Sequence, residues 1–161
     1  MLPTFELVVC ITSTALFDCS ESHEIWKREG VESYKAHQCE RAKIPLKPGV
    51  GFRLVKSLLA LNEVAGKHLV EVILVSRNNG DAGERVRYSI NHYKLQITRM
   101  SFTCGTDVTF YLPAWKCDLF LSTEEEQVRT VLSGSNIFDG IAAGLVCDIV
   151  PELPSIQSGL V

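Results

Sequence analysis

The stretches 8-VVCITSTALF-17 and 70-VEVILVSRN-78 decide the fold. Each predicts a buried strand of mostly β-branched and apolar residues that runs directly into a polar loop. The two loops contain hydroxyl groups, one amide and one arginine: Thr12, Ser13, Thr14, Ser76, Arg77 and Asn78. Many phosphate sites in α/β proteins are built from strands that end in such loops.

Five apolar segments predict strands, at residues 6–11, 69–75, 95–98, 119–121 and 141–147. Near-continuous apolar strands are typical of a parallel sheet covered on both faces. Helical patterns separate the strands: an apolar stripe of Leu54, Val55, Leu58 and Leu59, a second stripe over residues 82–93, and a helix over 124–132 with Ser122 or Thr123 as its N-cap. This alternation predicts an α/β fold, a Rossmann-like three-layer sandwich with a mainly parallel sheet.

We expect one domain from a chain of 161 residues. The α/β domain is predicted to cover residues 1–150, and residues 151–161 are predicted to form an irregular C-terminal tail. Residues 20–49 are polar and predict one or two amphipathic helices around Gly30, after which Pro45, Pro48 and Gly49 return the chain to the core. Because this insertion directly follows the first strand loop, we expect it to form a small helical cap above the strand ends.

Composition narrows the functional classes. The net charge of -3 and the lack of a Lys/Arg run argue against nucleic acid as the main partner. No apolar stretch approaches the ~20 residues that a membrane helix needs, and no basic leader peptide is apparent. Six cysteines are scattered singly, without zinc-finger spacing, which favours reduced thiols in a cytoplasmic protein.

The polar loops predict a ligand site at one edge of the sheet. In doubly wound sheets, ligands bind at the carboxyl ends of the strands, which would place the six loop residues in one crevice. Hydroxyls, backbone N–H groups and a guanidinium suit a phosphate oxyanion. Ordinary strand-end caps and turns would use the same residue types, so the residues alone leave both interpretations open.

Longer segments resemble a known family. The stretches 46-LKPGVGFRLVKSLLALN-62, 74-LVSRNNGDAGERVRYSINHYKL-95 and 101-SFTCGTDVTFYLPAWKCDLFLS-122 are similar to the cytosolic type I 5'-nucleotidases, and the likeness extends from about residue 8 to 146. The resemblance implies a haloacid-dehalogenase-like fold and Mg²⁺-dependent hydrolysis of nucleoside monophosphates, notably AMP. Family members look like two fused copies, with the Asp-x-Asp nucleophile motif in the second, and this chain resembles the N-terminal copy only.

The groups that such a phosphatase needs are mostly absent. The resemblance aligns Ile11 with the aspartate nucleophile, Ser13 with the general acid and Ser76 with the phosphate-holding hydroxyl. The lysine position falls near Val108, and the acidic pair that would help to hold Mg²⁺ falls on Ser122 and Thr123. We therefore assign no catalytic residue and no metal ligand, and we expect Mg²⁺ to belong to the family rather than to this chain.

Three further positions concern the expected site. The sequence Phe138-Asp139-Gly140 looks like the start of a nucleophile motif, but Ile141 follows it and the pattern predicts no strand before it. Cys104 occupies a position where the family resemblance predicts glycine. Thr14 occupies one where it predicts arginine, which removes a cation from the expected anion site.

Three functions remain as predictions. The first is a domain that binds a nucleoside monophosphate such as AMP and serves as a non-catalytic or regulatory half. The second is an active Mg²⁺-dependent 5'-nucleotidase, for which Asp18, Asp107 and Asp118 are the candidate carboxylates. The third is an interaction subunit that forms a homodimer or pairs with a separate catalytic half.

Overall fold

The main sheet has five parallel strands in the order β5-β4-β1-β6-β7. The structure is a computed structural model and describes residues 5–147, so the predicted tail lies outside the described residues. A separate antiparallel ribbon pairs β2 with β3. The strands are β1 (Leu7–Thr12), β2 (Phe17–Asp18), β3 (Lys47–Pro48), β4 (Val70–Ser76), β5 (Arg99–Phe102), β6 (Leu119–Ser122) and β7 (Ala142–Leu145).

The strand order makes β1 the centre of the sheet. From β1 the chain builds β4 and β5 on one side, and then crosses back to build β6 and β7 on the other. This reversal is a topological switch point, and the loops at the carboxyl ends of β1, β4 and β6 diverge there. The fold thus brings the two polar loops to the place where open α/β sheets hold ligands.

Helices cover both faces of the sheet. They are α1 (Ser13–Leu16), α2 (Ser20–Glu29), α3 (Val31–Glu40), α4 (Phe52–Ala65), α5 (Gly80–His92) and α6 (Glu125–Val131), with 3₁₀ turns at Val108–Tyr111 and Asn136–Phe138. Among residues 5–147, no helix combines the length and apolar character needed to cross a membrane.

Alternation along β1 divides the core into two halves. Val9 and Ile11 pack with Val55 of α4 and Val86 of α5 on one face. On the other face lies a second set, comprising Val8, Cys10, Leu112, Val131 and Phe138. Because successive side chains of a strand point to opposite faces, one strand serves both layers. The predicted α/β class with a parallel sheet flanked by helices is confirmed.

The predicted strand at residues 95–98 is wrong. Leu95 and Ile97 are buried but lie in the segment between α5 and the sheet, and β5 begins four residues later at Arg99. β5 is an edge strand, so its residues are mostly half-exposed and its sequence, RMSF, lacks a continuous apolar run. The prediction was wrong because these apolar residues are buried without pairing to a neighbouring strand.

Two details of the helices also differ from expectation. The N-cap of α6 is Glu124, not Ser122 or Thr123, because Ser122 is the last residue of β6 and its Oγ accepts a hydrogen bond from the Glu124 N–H at 3.0 Å. In α4, Val55 is buried as predicted, whereas Leu54 is 47% exposed. The apolar stripe of α4 is therefore narrower than the sequence suggested.

The polar insertion forms two helices between β2 and β3. Gly30 separates α2 from α3 with a φ of 88°, a conformation that glycine adopts without strain. Helix α3 packs against α5, and the β2–β3 ribbon closes the base of the insertion. The sequence predicted one or two helices around Gly30, and the structure has two.

All six cysteines are free thiols. Cys10 and Cys117 are buried in the second half of the core, where the hydrogen bond that the Cys10 thiol donates to Cys117, together with burial, raises the pKa of Cys10. Burial also raises the pKa of Cys19 to about 11. Cys10 and Cys19 therefore remain protonated at neutral pH and serve as small packing residues.

Candidate functional site

Hydroxyl groups meet at the carboxyl edge of the sheet. Thr12, Ser76 and Ser122 are the last residues of β1, β4 and β6, and α1 begins directly after Thr12. We call the six predicted site residues together with Thr123 the strand-end cluster. Parallel neighbours end at the same edge, so the topology alone brings these loops together.

The side chains of the cluster hydrogen-bond to one another. The Oγ atoms of Ser13 and Ser76 are 3.0 Å apart, which joins the β1 loop to the β4 loop. The Oγ1 atom of Thr14 lies 2.7 Å from that of Thr123 and 3.3 Å from that of Thr12. The structure therefore brings together the loops that the sequence predicted, and it adds Thr123 from the β6 loop.

The cluster has an inner and an outer part. Thr12, Ser13 and Ser76 are buried, with exposed fractions of 5%, 4% and 3%. Thr14 and Arg77 are exposed. Buried hydroxyls that already have partners fix the shape of the loops, and the exposed pair faces any arriving ligand.

Arg77 already has an anionic partner. Its Nη1 lies 3.0 Å from Oε2 of Glu124, and both side chains are more than 40% exposed. Exposed ion pairs contribute only about 0–1 kcal/mol because water and salt screen them. An oxyanion at the cluster can therefore replace Glu124 at small cost.

A neighbouring loop holds the backbone of the β4 loop in place. The N–H groups of Thr103, Cys104 and Gly105 donate to the carbonyl oxygens of Ser76, Asn78 and Arg77 at 2.8, 3.2 and 2.7 Å, respectively. Cys104 has a φ of 52°, a left-handed conformation in which a side chain is strained. The local conformation thus explains why the family resemblance predicts glycine at position 104.

Asn78 connects the cluster to the helical insertion. Its Oδ1 accepts a hydrogen bond from the Tyr34 hydroxyl of α3 at 2.8 Å, and its backbone N–H donates to Ser76 Oγ at 3.2 Å. Burial raises the pKa of Tyr34, which keeps the hydroxyl protonated as a donor. No sequence pattern predicts the role of Tyr34, because the contact joins residues 44 positions apart and depends on how α3 packs.

The three candidate carboxylates each cap a backbone group. Asp118 Oδ2 accepts from the N–H of Val8 at 2.7 Å, at the amino end of β1 and thus opposite the cluster. Asp107 accepts from the Thr109 N–H at 2.9 Å at the start of a 3₁₀ turn. Asp18 accepts from both the N–H and the hydroxyl of Ser20, and these hydrogen bonds lower its pKa.

The residues at the family's metal positions do not fit Mg²⁺. Mg²⁺ requires oxygen ligands, in practice one or more carboxylates, whereas Ile11, Ser13, Ser122 and Thr123 provide one aliphatic side chain and three hydroxyls. The Ser122 hydroxyl is already bonded to Gln127 at 2.8 Å. Within the described part of the chain, no group of three His, Cys, Asp or Glu side chains is arranged to hold a metal.

Asp139 lies away from the strand-end cluster. It follows the 3₁₀ turn Asn136–Phe138 and precedes β7, whose first residue Ala142 donates its N–H to the carbonyl oxygen of Asp118. That position is at the amino edge of the sheet. The Phe138-Asp139-Gly140 sequence is therefore a connection between elements, as the missing strand before it predicted.

These features place the chain among α/β proteins with a polar site at the switch point of a parallel sheet. The model of the 5'-nucleotidase family matches residues 3–155, and the chain belongs to that family. The expected family membership is thereby confirmed.

The comparisons also set the extent of the similarity. The chain is 30% identical to cytosolic 5'-nucleotidase 1B of Homo sapiens over 156 residues, which is 91% of this chain and 26% of that protein. It therefore spans about a quarter of the length of this relative. No solved structure matches the chain at a significant level.

Proposed function

We propose that this domain binds a nucleoside monophosphate such as AMP at the strand-end cluster and does not hydrolyse it. The observation that carries the proposal is the convergence of hydroxyls from β1, β4 and β6 beside Arg77, at the switch point of a 5'-nucleotidase-family sheet. Hydroxyls and a guanidinium bind phosphate oxygens, whereas a hydroxyl attacks phosphorus only when a general base activates it.

The phosphate would bind on the outer part of the cluster. Arg77 would exchange the carboxylate of Glu124 for the phosphate, and the exposed Thr14 hydroxyl would add a second donor. The buried pair of Ser13 and Ser76 would hold both loops in position. Because the donor set does not fit Mg²⁺, we propose binding without a requirement for the metal.

We further propose that α2 and α3 form a small cap of haloacid-dehalogenase type. The Tyr34–Asn78 hydrogen bond supports this role, since it ties α3 to the end of β4. Trp26 on α2 is 49% exposed and stacks on His23, so an aromatic surface is available for a base. By analogy with the relative named cytosolic, we propose that the protein acts in the cytoplasm.

The absence of hydrolysis rests on the positions of the carboxylates. A phosphatase that uses an aspartate nucleophile places this carboxylate in line with the phosphorus, within about 3–3.5 Å of it. At the cluster, position 11 is an isoleucine and position 13 a serine, while Asp107 and Asp118 serve as backbone caps. The carboxylate of Glu124, which contacts the cluster, pairs with the cation that would hold the substrate.

The site is tested by replacing Arg77 with alanine. If Arg77 donates a charge-assisted hydrogen bond to the phosphate, calorimetric titration with AMP should show a loss of roughly 1.5–3 kcal/mol in binding free energy. The control is Arg129→Ala, which removes another exposed arginine, one of α6 that pairs with Glu125. Equal AMP affinities in wild type and Arg77→Ala would contradict the site.

An apolar surface favours a second candidate function, the interaction subunit. Phe110, Leu132 and Ile137 are 68%, 59% and 58% exposed, and they lie in or directly after three elements, the turn Val108–Tyr111, α6 and the turn Asn136–Phe138, that pack on the second half of the core. Large exposed apolar side chains mark interaction surfaces. Sedimentation should then show a homodimer that Phe110→Ser disrupts, or a monomer that binds a separately encoded catalytic half. A monomer at high concentration with no such partner would contradict this candidate.

A further inference from the structure

A second polar region is lined by residues outside the strand-end cluster. The start of α2, the connection from α3 to β3 and the middle of α5 enclose a cavity of about 440 Å³. Small-molecule sites commonly measure roughly 300–1,000 Å³. Three cations, Arg41, Lys47 and Arg85, and two carboxylates, Asp18 and Glu21, contribute to its lining. We call this cavity the Arg85 pocket.

Arg85 is buried without an anionic partner. Only 4% of the residue is exposed, and the hydrogen bonds of its guanidinium go to neutral oxygens, from Nε to the Ile44 carbonyl at 3.0 Å and from Nη1 to Gln38 Oε1 at 3.1 Å. Arg85 takes part in none of the ion pairs found within residues 5–147. Burial lowers its pKa, which reports the cost of holding this charge away from water.

The charge of Arg85 is only partly compensated, because the Glu21 carboxylate attracts it without forming an ion pair with it. A buried charge is costly unless it is paired, and the remaining N–H groups of this guanidinium have no acceptor among the described hydrogen bonds. The structure therefore holds donors and a positive charge at the wall of a cavity. A guanidinium in this position suits an oxyanion that can accept two hydrogen bonds in parallel.

The other charged groups leave room for an anion. Arg41 forms an ion pair with Glu21, with Nη1 3.3 Å from Oε1. Asp18 Oδ1 accepts hydrogen bonds from the N–H and the hydroxyl of Ser20. Lys47 is the strand partner of Asp18 and lowers its pKa by charge attraction. Both carboxylates are thus engaged, and the cations outnumber them.

We infer that the Arg85 pocket binds a phosphoryl oxyanion, either free phosphate or the phosphate monoester of a small metabolite, through Arg85 with help from Arg41 and Lys47. This site is separate from the strand-end cluster and does not depend on the function proposed there. Its ligand would also join α2, the connection to β3 and α5, since each contributes to the lining. An anion here would therefore stabilise the helical insertion on the sheet.

The test uses a double variant that leaves the buried Arg85 in place. Arg41→Ala with Lys47→Ala removes two pocket cations, and the matched control, Arg53→Ala with Lys56→Ala, removes two exposed cations of α4. Binding of inorganic phosphate and of glycerol 3-phosphate is measured by calorimetry and by thermal shift in low salt. We expect wild type and control to bind alike, and the pocket variant about 10-fold or more weaker.

The two probes distinguish the sources of the phosphoryl group. Tighter binding of glycerol 3-phosphate assigns the pocket to a metabolite, and equal binding assigns it to free phosphate. Equal losses in both double variants, or no binding of either probe by wild type up to about 10 mM, would overturn the inference. Arg77→Ala should leave phosphate binding at this pocket unchanged, which separates a failure here from a failure of the strand-end proposal.

Discussion

The strand-end cluster and the Arg85 pocket differ in how their arginine is exposed and paired. At the cluster, Arg77 is exposed and already paired with Glu124, and the hydroxyls around it satisfy one another. In the pocket, Arg85 is buried, bonded only to neutral oxygens and next to an open cavity. The cluster lies at the switch point, where open α/β sheets bind ligands, whereas the pocket carries the less compensated charge.

This difference shows that position and charge are separate signals of function. Topology selects the cluster, because every open α/β sheet diverges at its switch point. The burial of Arg85 indicates the pocket, because a buried guanidinium that forms no ion pair is costly in a folded protein. The experiments below change one of the two regions at a time.

The largest expected effect concerns the stability that Arg85 provides. Arg85→Gln leaves the Ile44 carbonyl or the Gln38 amide without its partner in a buried place, and should lower the free energy of unfolding by about 2–3 kcal/mol. Urea unfolding measures it. Arg53→Gln on the exposed surface of α4 should change stability by no more than about 0.5 kcal/mol. If the two substitutions lower the free energy of unfolding equally, the hydrogen bonds of Arg85 do not stabilise the fold.

The second effect concerns the buried hydroxyl pair of the cluster. Ser13→Ala and Ser76→Ala should each cost about 1 kcal/mol of stability, and the double variant less than the sum, because the two Oγ atoms bond to each other. Chemical unfolding of all four proteins gives the coupling energy. Thr14→Ala, at the exposed edge of the cluster, should cost less than either. Strict additivity would show that the two serines do not form one unit.

A smaller effect should follow from releasing Arg77 from its acid. Glu124→Gln removes the carboxylate that competes with phosphate, so AMP should bind about 3- to 10-fold more tightly. Glu125→Gln, one residue further on, makes the same change of charge but frees Arg129 instead. If both variants raise the affinity equally, the gain is a general charge effect and Arg77 is not the phosphate ligand.

The smallest effect is the pH dependence that Asp18 contributes to stability. Hydrogen bonds from Ser20 hold the pKa of Asp18 below its unfolded value of about 3.9, so the folded state gains from the ionised form. This gain is present above about pH 4 and is lost as the pH falls through the lower folded pKa. Asp18→Asn should therefore lose less stability than wild type between about pH 5 and pH 3 in urea unfolding, and an identical loss would contradict the role.

Much of the fold could be predicted from the sequence, because the central strands carry strong patterns. The buried runs of β1 and β4 fixed the parallel sheet and placed Thr12 and Ser76 at strand ends, where the structure has them. The edge strand β5 could not be located in this way. Its neighbour β4 covers only one side, so residues such as Arg99 and Ser101 replace the apolar pattern that the prediction relied on.

Part of the candidate site, like part of the fold, could be predicted from the sequence. Loop residues that follow directly from a strand could be assigned, since sequence position fixes the edge of the sheet. The contacts of Tyr34 with Asn78, and of Thr14 with Thr123, join residues 44 and 109 positions apart and depend on packing that no local pattern encodes. The Arg85 pocket was missed for the same reason, because its walls come from three separate elements.

The most direct test of the central claim, binding at the strand-end cluster without hydrolysis, is a ³¹P NMR spectrum of AMP and Mg²⁺ with the purified protein, followed over time. Binding without hydrolysis predicts a shifted or broadened AMP resonance that returns to its free position with Arg77→Ala. It also predicts no growing signal of inorganic phosphate. An unchanged AMP resonance would contradict binding. A phosphate signal that grows with wild type and vanishes with Asp18→Asn would contradict the claim that the domain does not hydrolyse its ligand.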